Sequence, residues 1–139
     1  YYTIEFIDID GDSDLDMLLG GHEWEINSST QIYINPGNDN FSQVDPINLP
    51  SVANEGVILD FIFTQNDSSS FLWVLRTSGG DGTFYKSRTI QKIEWPNLNS
   101  STPVLDRNLK WIPWIIPSKI NGKDVITSDN SYYNFTIEY

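Results

Sequence analysis

Nowhere in these 139 residues do apolar side chains recur at i, i+3, i+4 and i+7 over ten positions without a Pro, a Gly or a β-branched cluster breaking the pattern. Helices are not what such a chain builds. Short β-rich runs recur instead, each bounded by turn residues: "YYTIEFIDI", "DMLLGG", "TQIYINPGNDNFSQV", "VILDFIF", "FLWVLRT", "TFYKSRTIQKIEW", "KWIPWII", "KDVITSD" and "YYNFTIEY". Runs of this length and composition predict an all-β chain punctuated by hairpins. "YINPGNDNFSQV" reads as strand, Pro-Gly turn, strand, and "RTSGGDGTFYKS" reads the same way around its glycines, so most strand neighbours are expected to be antiparallel.

Aligning the first run of each group brings out a loose repeat. "IEFIDID" begins at Ile4, "VILDFIF" at Val57 and "WIPWII" at Trp111, steps of about 53 and 54 residues. A period of that size points to propellers or solenoids. Each unit holds an apolar run, a polar loop, a second apolar run and aromatic-bearing runs after it, which is the pattern of a four-stranded antiparallel β-propeller blade. The expected units are residues 1–52, residues 53–103 and a partial third, 104–139, together forming part of one propeller domain. Pro-rich "INLPSVANEG" and "EWPNLNSSTPVLD" read as joints between units. About two and a half to three blades cannot close a ring, so sheet edges and apolar faces are expected to need cover from further blades or a partner.

The stretch "FIDIDGDSDLDMLLGG" sets Asp8, Asp10, Asp12, Asp14 and Asp16 on alternate positions between apolar runs. Like charges that close repel by roughly 1 kcal/mol per neighbouring pair even in a water-like dielectric. A cation among them is the natural remedy. In an unbroken strand all five would share one face, but Gly11 and Ser13 interrupt it as a tight loop in which alternate side chains converge. Converging carboxylate oxygens suit Ca2+, which takes roughly six to eight oxygen ligands, whereas metals that prefer thiolate or imidazole lack their partners here. An EF-hand loop opening at Asp8 would need Gly at its sixth position and Glu at its twelfth; Ser13 and Leu19 stand there.

"DIDGDSDLDMLLGG" resembles the D-x-D-G-D-x-x-x-D loop of FG-GAP repeats, called VCBS repeats in their bacterial form, which build the propeller of integrin α chains and occur in many bacterial surface proteins. The resemblance implies a loop between the first two strands of a blade that holds one Ca2+. Carried over by position, it makes Asp8, Asp10, Asp12 and Asp16 side-chain ligands and the backbone carbonyl of Asp14 a further one, with the Asp14 carboxylate turned to solvent or adding outer charge. The "GG" that follows, the aromatic run "QIYINPGNDNFSQV" and the segment "LRTSGGDGTFYKSRTIQ" are similar to the corresponding parts of such blades. In the second unit "FTQNDSSSFLW" keeps only Asp67, and in the third "INGKDVI" is several residues too short, so neither is expected to hold a metal.

A net charge of −11, from 19 acidic and 8 basic residues, argues against nucleic acid or an anionic lipid surface as a partner. Cysteine is absent, which removes thiol nucleophiles and zinc–thiolate sites. No apolar run reaches 18 residues, so direct membrane insertion is not expected. The first residue is Tyr rather than Met, the mark expected of a fragment or a processed chain. Sequons at Asn27, Asn40, Asn66, Asn99 and Asn134 would predict a secreted glycoprotein if the source is eukaryotic. An extracellular or cell-surface location is expected, with the periplasm as the alternative.

No catalytic constellation stands out. The one histidine, His22, lies in "GGHEWEI" with no G-x-S-x-G elbow to supply a serine, and is expected to be a surface group. Glu23 and Glu25 flank Trp24 in a spacing that a glycosidase could use, but they read first as a solvated edge. The functional expectation is therefore non-catalytic: a calcium-stabilised propeller segment of a secreted or surface protein, acting in adhesion or protein–protein interaction. The alternative is a carbohydrate-binding or accessory propeller of a polysaccharide-acting protein, with a glycan as partner.

Overall fold

The computed structural model describes residues 3–79, 84–106, 112, 114–128 and 135–139. Three antiparallel sheets succeed one another along the chain, and no α-helix occurs among the described residues. The first sheet has the order β1(Thr3–Ile7), β2(Asp16–Gly20), β3(Gln31–Tyr33), β4(Ile47–Asn48). The second runs β5(Val57–Gln65), β6(Ser70–Thr77), β7(Arg88–Trp95), β8(Ser100–Asp106). The third joins β9(Ile116–Ile120), β10(Lys123–Thr127) and β11(Thr136–Glu138), with β10 in the middle. Each sheet is thus a meander in which sequence neighbours pair, as short turns between β-rich runs require.

Alternation along each strand decides which side packs inward. On the first sheet Ile7, Leu18, Ile32, Ile47 and Leu49 join Ile58, Phe61, Phe63, Leu72, Val74 and Ile93 of the second in one apolar core. The other side of the second sheet, with Phe71, Trp73, Leu75 and Ile90, forms another core with Ile112, Ile115 and Ile126. The middle sheet is therefore covered on both sides, and this explains why "FLWVLRT" reads as one continuous apolar run rather than an alternating one. Approach between the first two sheets is close: a Cβ at Gly20 would lie 2.7 Å from Ile58 Cβ, so only glycine fits there.

Several expected elements differ. "NFSQV" is not a second strand after the Pro-Gly turn. Phe41–Gln43 forms a 3-10 turn instead, capped by Asn40, whose side-chain oxygen accepts the Ser42 N–H and hydroxyl, and the strand follows only at Ile47. Such local side-chain bonds compete with ladder formation. "SSTPVLD", read as a joint, is the edge strand β8. Pro103 is tolerated in it because the ladder shifts between Ile90 and Lys92 there, and an edge strand has no second neighbour demanding an N–H.

The run "TFYKSRTIQKIEW" is strand only from Arg88, while Phe84 and Tyr85 lie in the preceding loop. "WIPWII" is not a strand at Ile112, Trp114 or Ile115 either, and only its last residue, Ile116, opens β9. Ile112 and Ile115 plug the second core, and their backbone groups bond to the middle sheet: Arg88 Nε donates to Ile112 O and Ile115 N donates to Asp60. Trp111 and Pro113 lie outside the described residues, as do Gly80, Asp81, Gly82 and Thr83 of the expected glycine turn and Asn134 of the last sequon.

Candidate metal centre

β1 and β2 pair in register from Thr3↔Gly20 to Ile7↔Asp16, which leaves residues 8–15 as the closing loop. Backbone at Gly11 and Ser13 adopts the left-handed region, with φ of 82° and 76°, so the chain does turn at the two positions where the sequence breaks its strand. Serine bears that conformation at some steric cost.

The loop's amides are held by its own carboxylates. Asp8 accepts from Gly11 N at 2.8 Å, Asp12 N at 3.2 Å and Ser13 N at 3.0 Å. Asp10 accepts from Asp12 N, and Asp12 from Asp14 N. Asp16, wholly buried, accepts from Ile9 N with one oxygen and from Asn35 N with the other, both at 2.8 Å. The outcome is a convergence of Asp8, Asp10 and Asp16, whose oxygens lie within 4.8 Å of one another. Asp12 and Asp14 are not members of that group; the Asp12 carboxylate is turned to the Asp14 N–H, and a Cβ placed at Gly37 would lie 3.7 Å from Asp14 Oδ2.

Charge and chemistry agree on what this donor set would take. A carboxylate offers about four lone-pair sites, so Asp10 and Asp16 keep open sites after accepting their amides. The donors are all hard oxygens, which fit Ca2+ or a similar hard cation and not a thiolate-seeking metal. Asp10 has its pKa raised above the ordinary carboxylate value, first by loss of hydration, then by the negative charges of Asp16 and Asp12 acting against its bond from the Asp12 amide. A cation would relieve that repulsion.

Two residues of this centre were not singled out from the sequence, Asn35 and Asp39. The Asn35 side chain, nearly buried, donates to Leu15 O at 3.0 Å and to Asp39 at 2.7 Å, and accepts from Gly37 N and Asp39 N. It fastens the β3–β4 loop beneath the aspartate loop, while its backbone N–H is aimed at Asp16. The signal was "NPGND", a tight-turn sequence in which Gly37 and Asp39 have φ of 94° and 59°.

A second polar centre lies at the seam between the first two sheets. Arg76, wholly buried on β6, donates through Nη1 to both Glu23 oxygens at 2.9 and 2.8 Å, through Nε to Gln91, and through Nη2 to Pro50 O. Burial pulls its pKa down from the ordinary arginine value, and the charge of Glu23 opposes that. Glu23 also accepts from the Thr30 hydroxyl. Its expected place on a solvated edge is therefore wrong: Glu23 is the counter-ion of a guanidinium 53 residues away, while Glu25 is exposed. The Glu55 carboxylate accepts from the Ser87 hydroxyl and adds to the field at Arg76 and Arg88.

Beside this seam a cleft of about 280 Å³ is lined by Glu23, Trp24, Ser51, Val52, Asn54 and Gly79. Trp24 stacks on His22 with ring centroids 4.4 Å apart and meets the edge of Phe84 at 5.2 Å. Phe84 and Tyr85 remain about half exposed, and Tyr85 is held at φ 59°. No protein-family model, curated protein or solved structure matches this chain.

Proposed function

We propose that this chain is a calcium-stiffened segment of a β-propeller of the FG-GAP/VCBS type, and that it acts without catalysis, as an adhesion or protein-interaction module of a secreted or cell-surface protein. The observation that carries the reading is the convergence of Asp8, Asp10 and Asp16 on one point at the mouth of the β1–β2 hairpin. These three would hold the ion, with Asp16 tying the centre to β3 through the Asn35 N–H, while Asp12 and the Asp14 carbonyl are ligands only by the loop positions that the resemblance carries over. Bound there, Ca2+ supplies charge neutralisation, which links metal affinity to the stability of the hairpin. The chain's own part is to keep the carboxylates gathered: Asp8 braces the loop's amides, and Gly11 and Ser13 supply the turn. The succession of meanders, each packed face to face on the next, supports reading the sheets as consecutive blades.

Calorimetric titration with Ca2+ tests this. One ion per chain is expected, lost in Asp10→Ala/Asp12→Ala, with a rise in melting temperature that chelator reverses. Absence of uptake by the folded chain would remove the metal and, with it, the main support for the propeller family.

A second reading, a carbohydrate-binding propeller, is favoured by the exposed rings of Phe84 and Tyr85 near a cleft edged by Asn54 and Ser51. Binding of the chain on a glycan array, abolished by Tyr85→Ala, would decide for it over adhesion to protein.

A further inference from the structure

Asp16 is a carboxylate wholly out of water, and the first Lys or Arg in the sequence is Arg76. Among the described residues no ion pair holds it, and its oxygens accept the N–H groups of Ile9 and Asn35, both at 2.8 Å. A buried charge served by two neutral donors is short of partners. The two donors differ in origin: Ile9 belongs to the aspartate loop itself, Asn35 to the connection between β3 and β4.

No strand pairing fixes residue 35 against β2, since that ladder stops at Met17↔Tyr33. The Asn35 side chain does so instead. Its Nδ2 donates to Leu15 O at 3.0 Å, one residue ahead of Asp16, and to Asp39 Oδ1 at 2.7 Å, while its Oδ1 accepts from Gly37 N at 2.9 Å and Asp39 N at 3.2 Å. Asn35 thus brackets Asp16, with its peptide N–H on the carboxylate and its side-chain amide on the preceding carbonyl. The rest of the turn has little else to hold it. Residues 36–40 are all exposed, Gly37 and Asp39 sit at positive φ, and a Cβ at Gly37 would meet nothing within 4 Å but Asp14 Oδ2. A segment with so few buried contacts opens locally at low cost, so its order rests on the one buried amide.

Resting on the calcium reading of these carboxylates, we infer that Asn35 is a positioning residue for the ion, and that the Asn35–Asp39 turn is the part of the surface that ion occupancy orders. Both effects pass through one bond, from the Asn35 N–H to Asp16. With residue 35 held, the Asp16 carboxylate stays aimed at the point shared with Asp8 and Asp10; with that carboxylate fixed, residue 35 is fixed too. Linkage makes the two equal, so whatever the ordered turn adds to ion affinity, the ion adds to the order of the turn. The exposed residues 36–40 are then a cation-dependent surface, held in one shape only when the centre is filled.

The β5–β6 turn supplies an internal control. There the Asn66 Oδ1 accepts from Ser68 N at 3.2 Å and Ser69 N at 2.9 Å in the same manner, in a turn whose one carboxylate is Asp67. Amide hydrogen exchange of the full chain, read by NMR with Ca2+ and with chelator, is set beside calorimetric titration. Exchange at Gly37 and Asp39 is expected to slow about tenfold with Ca2+, and exchange at Ser68 and Ser69 to stay unchanged. Asn35→Ala should weaken Ca2+ affinity about ten- to hundredfold. Gly37→Ala, in the exposed turn at φ 94°, should weaken it severalfold without altering a carboxylate, and it decides the matter if the first variant does not fold.

Uptake of one ion with exchange at Gly37 and Asp39 unchanged, or slowed no more than at Ser68 and Ser69, overturns the inference and leaves the calcium reading standing. An affinity within about twofold of the unaltered chain's, in Gly37→Ala or in a folded Asn35→Ala, does the same. Absence of uptake by the unaltered chain removes the calcium reading and the role of Asn35 with it.

Discussion

The β1–β2 and β5–β6 hairpins occupy the same place in their sheets, yet they close by opposite means. In the β5–β6 turn Asn66 accepts from Ser68 N and Ser69 N through its side-chain oxygen and donates its own N–H to Ser69 O, so a neutral amide satisfies the loop. The β1–β2 loop satisfies its amides with carboxylates, and so gathers five negative charges where the other hairpin has Asp67 alone. Both devices answer the same need, since a loop's N–H groups must find acceptors. Charged acceptors bond more strongly, but they also repel one another, and a counter-charge would relieve that repulsion. The carboxylate-closed hairpin can respond to its surroundings; the amide-closed one is complete by itself.

The sheets behind these hairpins differ as well, the middle one covered on both sides and the first on one. The largest effect is expected where they meet. Arg76→Ala strands Glu23 without its counter-ion in the seam and should cost about 3–5 kcal/mol, read as a drop in denaturant midpoint. A paired test separates covered from uncovered surface: Leu72→Ala should cost about 2–5 kcal/mol, whereas Met17→Ala, at the matching rung of the first sheet, should cost less than about 1 kcal/mol. Similar losses would mean that the first sheet's outer side is covered in solution.

Calcium comes next in size. At a hundredfold excess over the dissociation constant, binding should add about 2.7 kcal/mol, seen as several degrees in melting temperature, with Asp67→Ala leaving that gain unchanged and Asp10→Ala removing it. Asp16→Asn should lower stability in chelator too, by about 1–3 kcal/mol, because an amide in its place turns an NH2 toward the Ile9 or Asn35 N–H.

The smallest effect concerns pH at the other seam. Burial raises the Asp60 pKa while bonds from Ile115 N and Phe61 N oppose it. A carboxyl raised in the folded state contributes stability that is fully present below its unfolded value, about pH 4, and is lost as pH climbs through the folded value. In chelator, melting should therefore drift upward on acidification toward pH 4 less in Asp60→Asn than in the unaltered chain. An identical drift in both would place the titration elsewhere.

Much of this was legible in the residues alone. The all-β class followed from short β-rich runs with turn residues between them and from the lack of any helical periodicity, and the aspartate loop from alternating carboxylates broken at Gly11 and Ser13. Both are nearest-neighbour effects, set by backbone sterics and by bonds spanning a few residues. β8 and the Phe41–Gln43 turn were misread because an edge position can admit Pro103 and an Asn40 cap can outbid a ladder, and neither condition is visible until the sheet's order is known.

What tertiary structure alone decided is of longer range. Glu23 and Glu25 look alike in sequence, but only Glu23 meets Arg76, because the first sheet lies on the second with Gly20 against Ile58. Asn35 reaches Asp16 only after β2 and β3 have paired. Alternation tells that a strand has two sides, not which of them will be covered; that choice belongs to the packing of one sheet on another, where apolar area leaves water and each buried charge must find its partner.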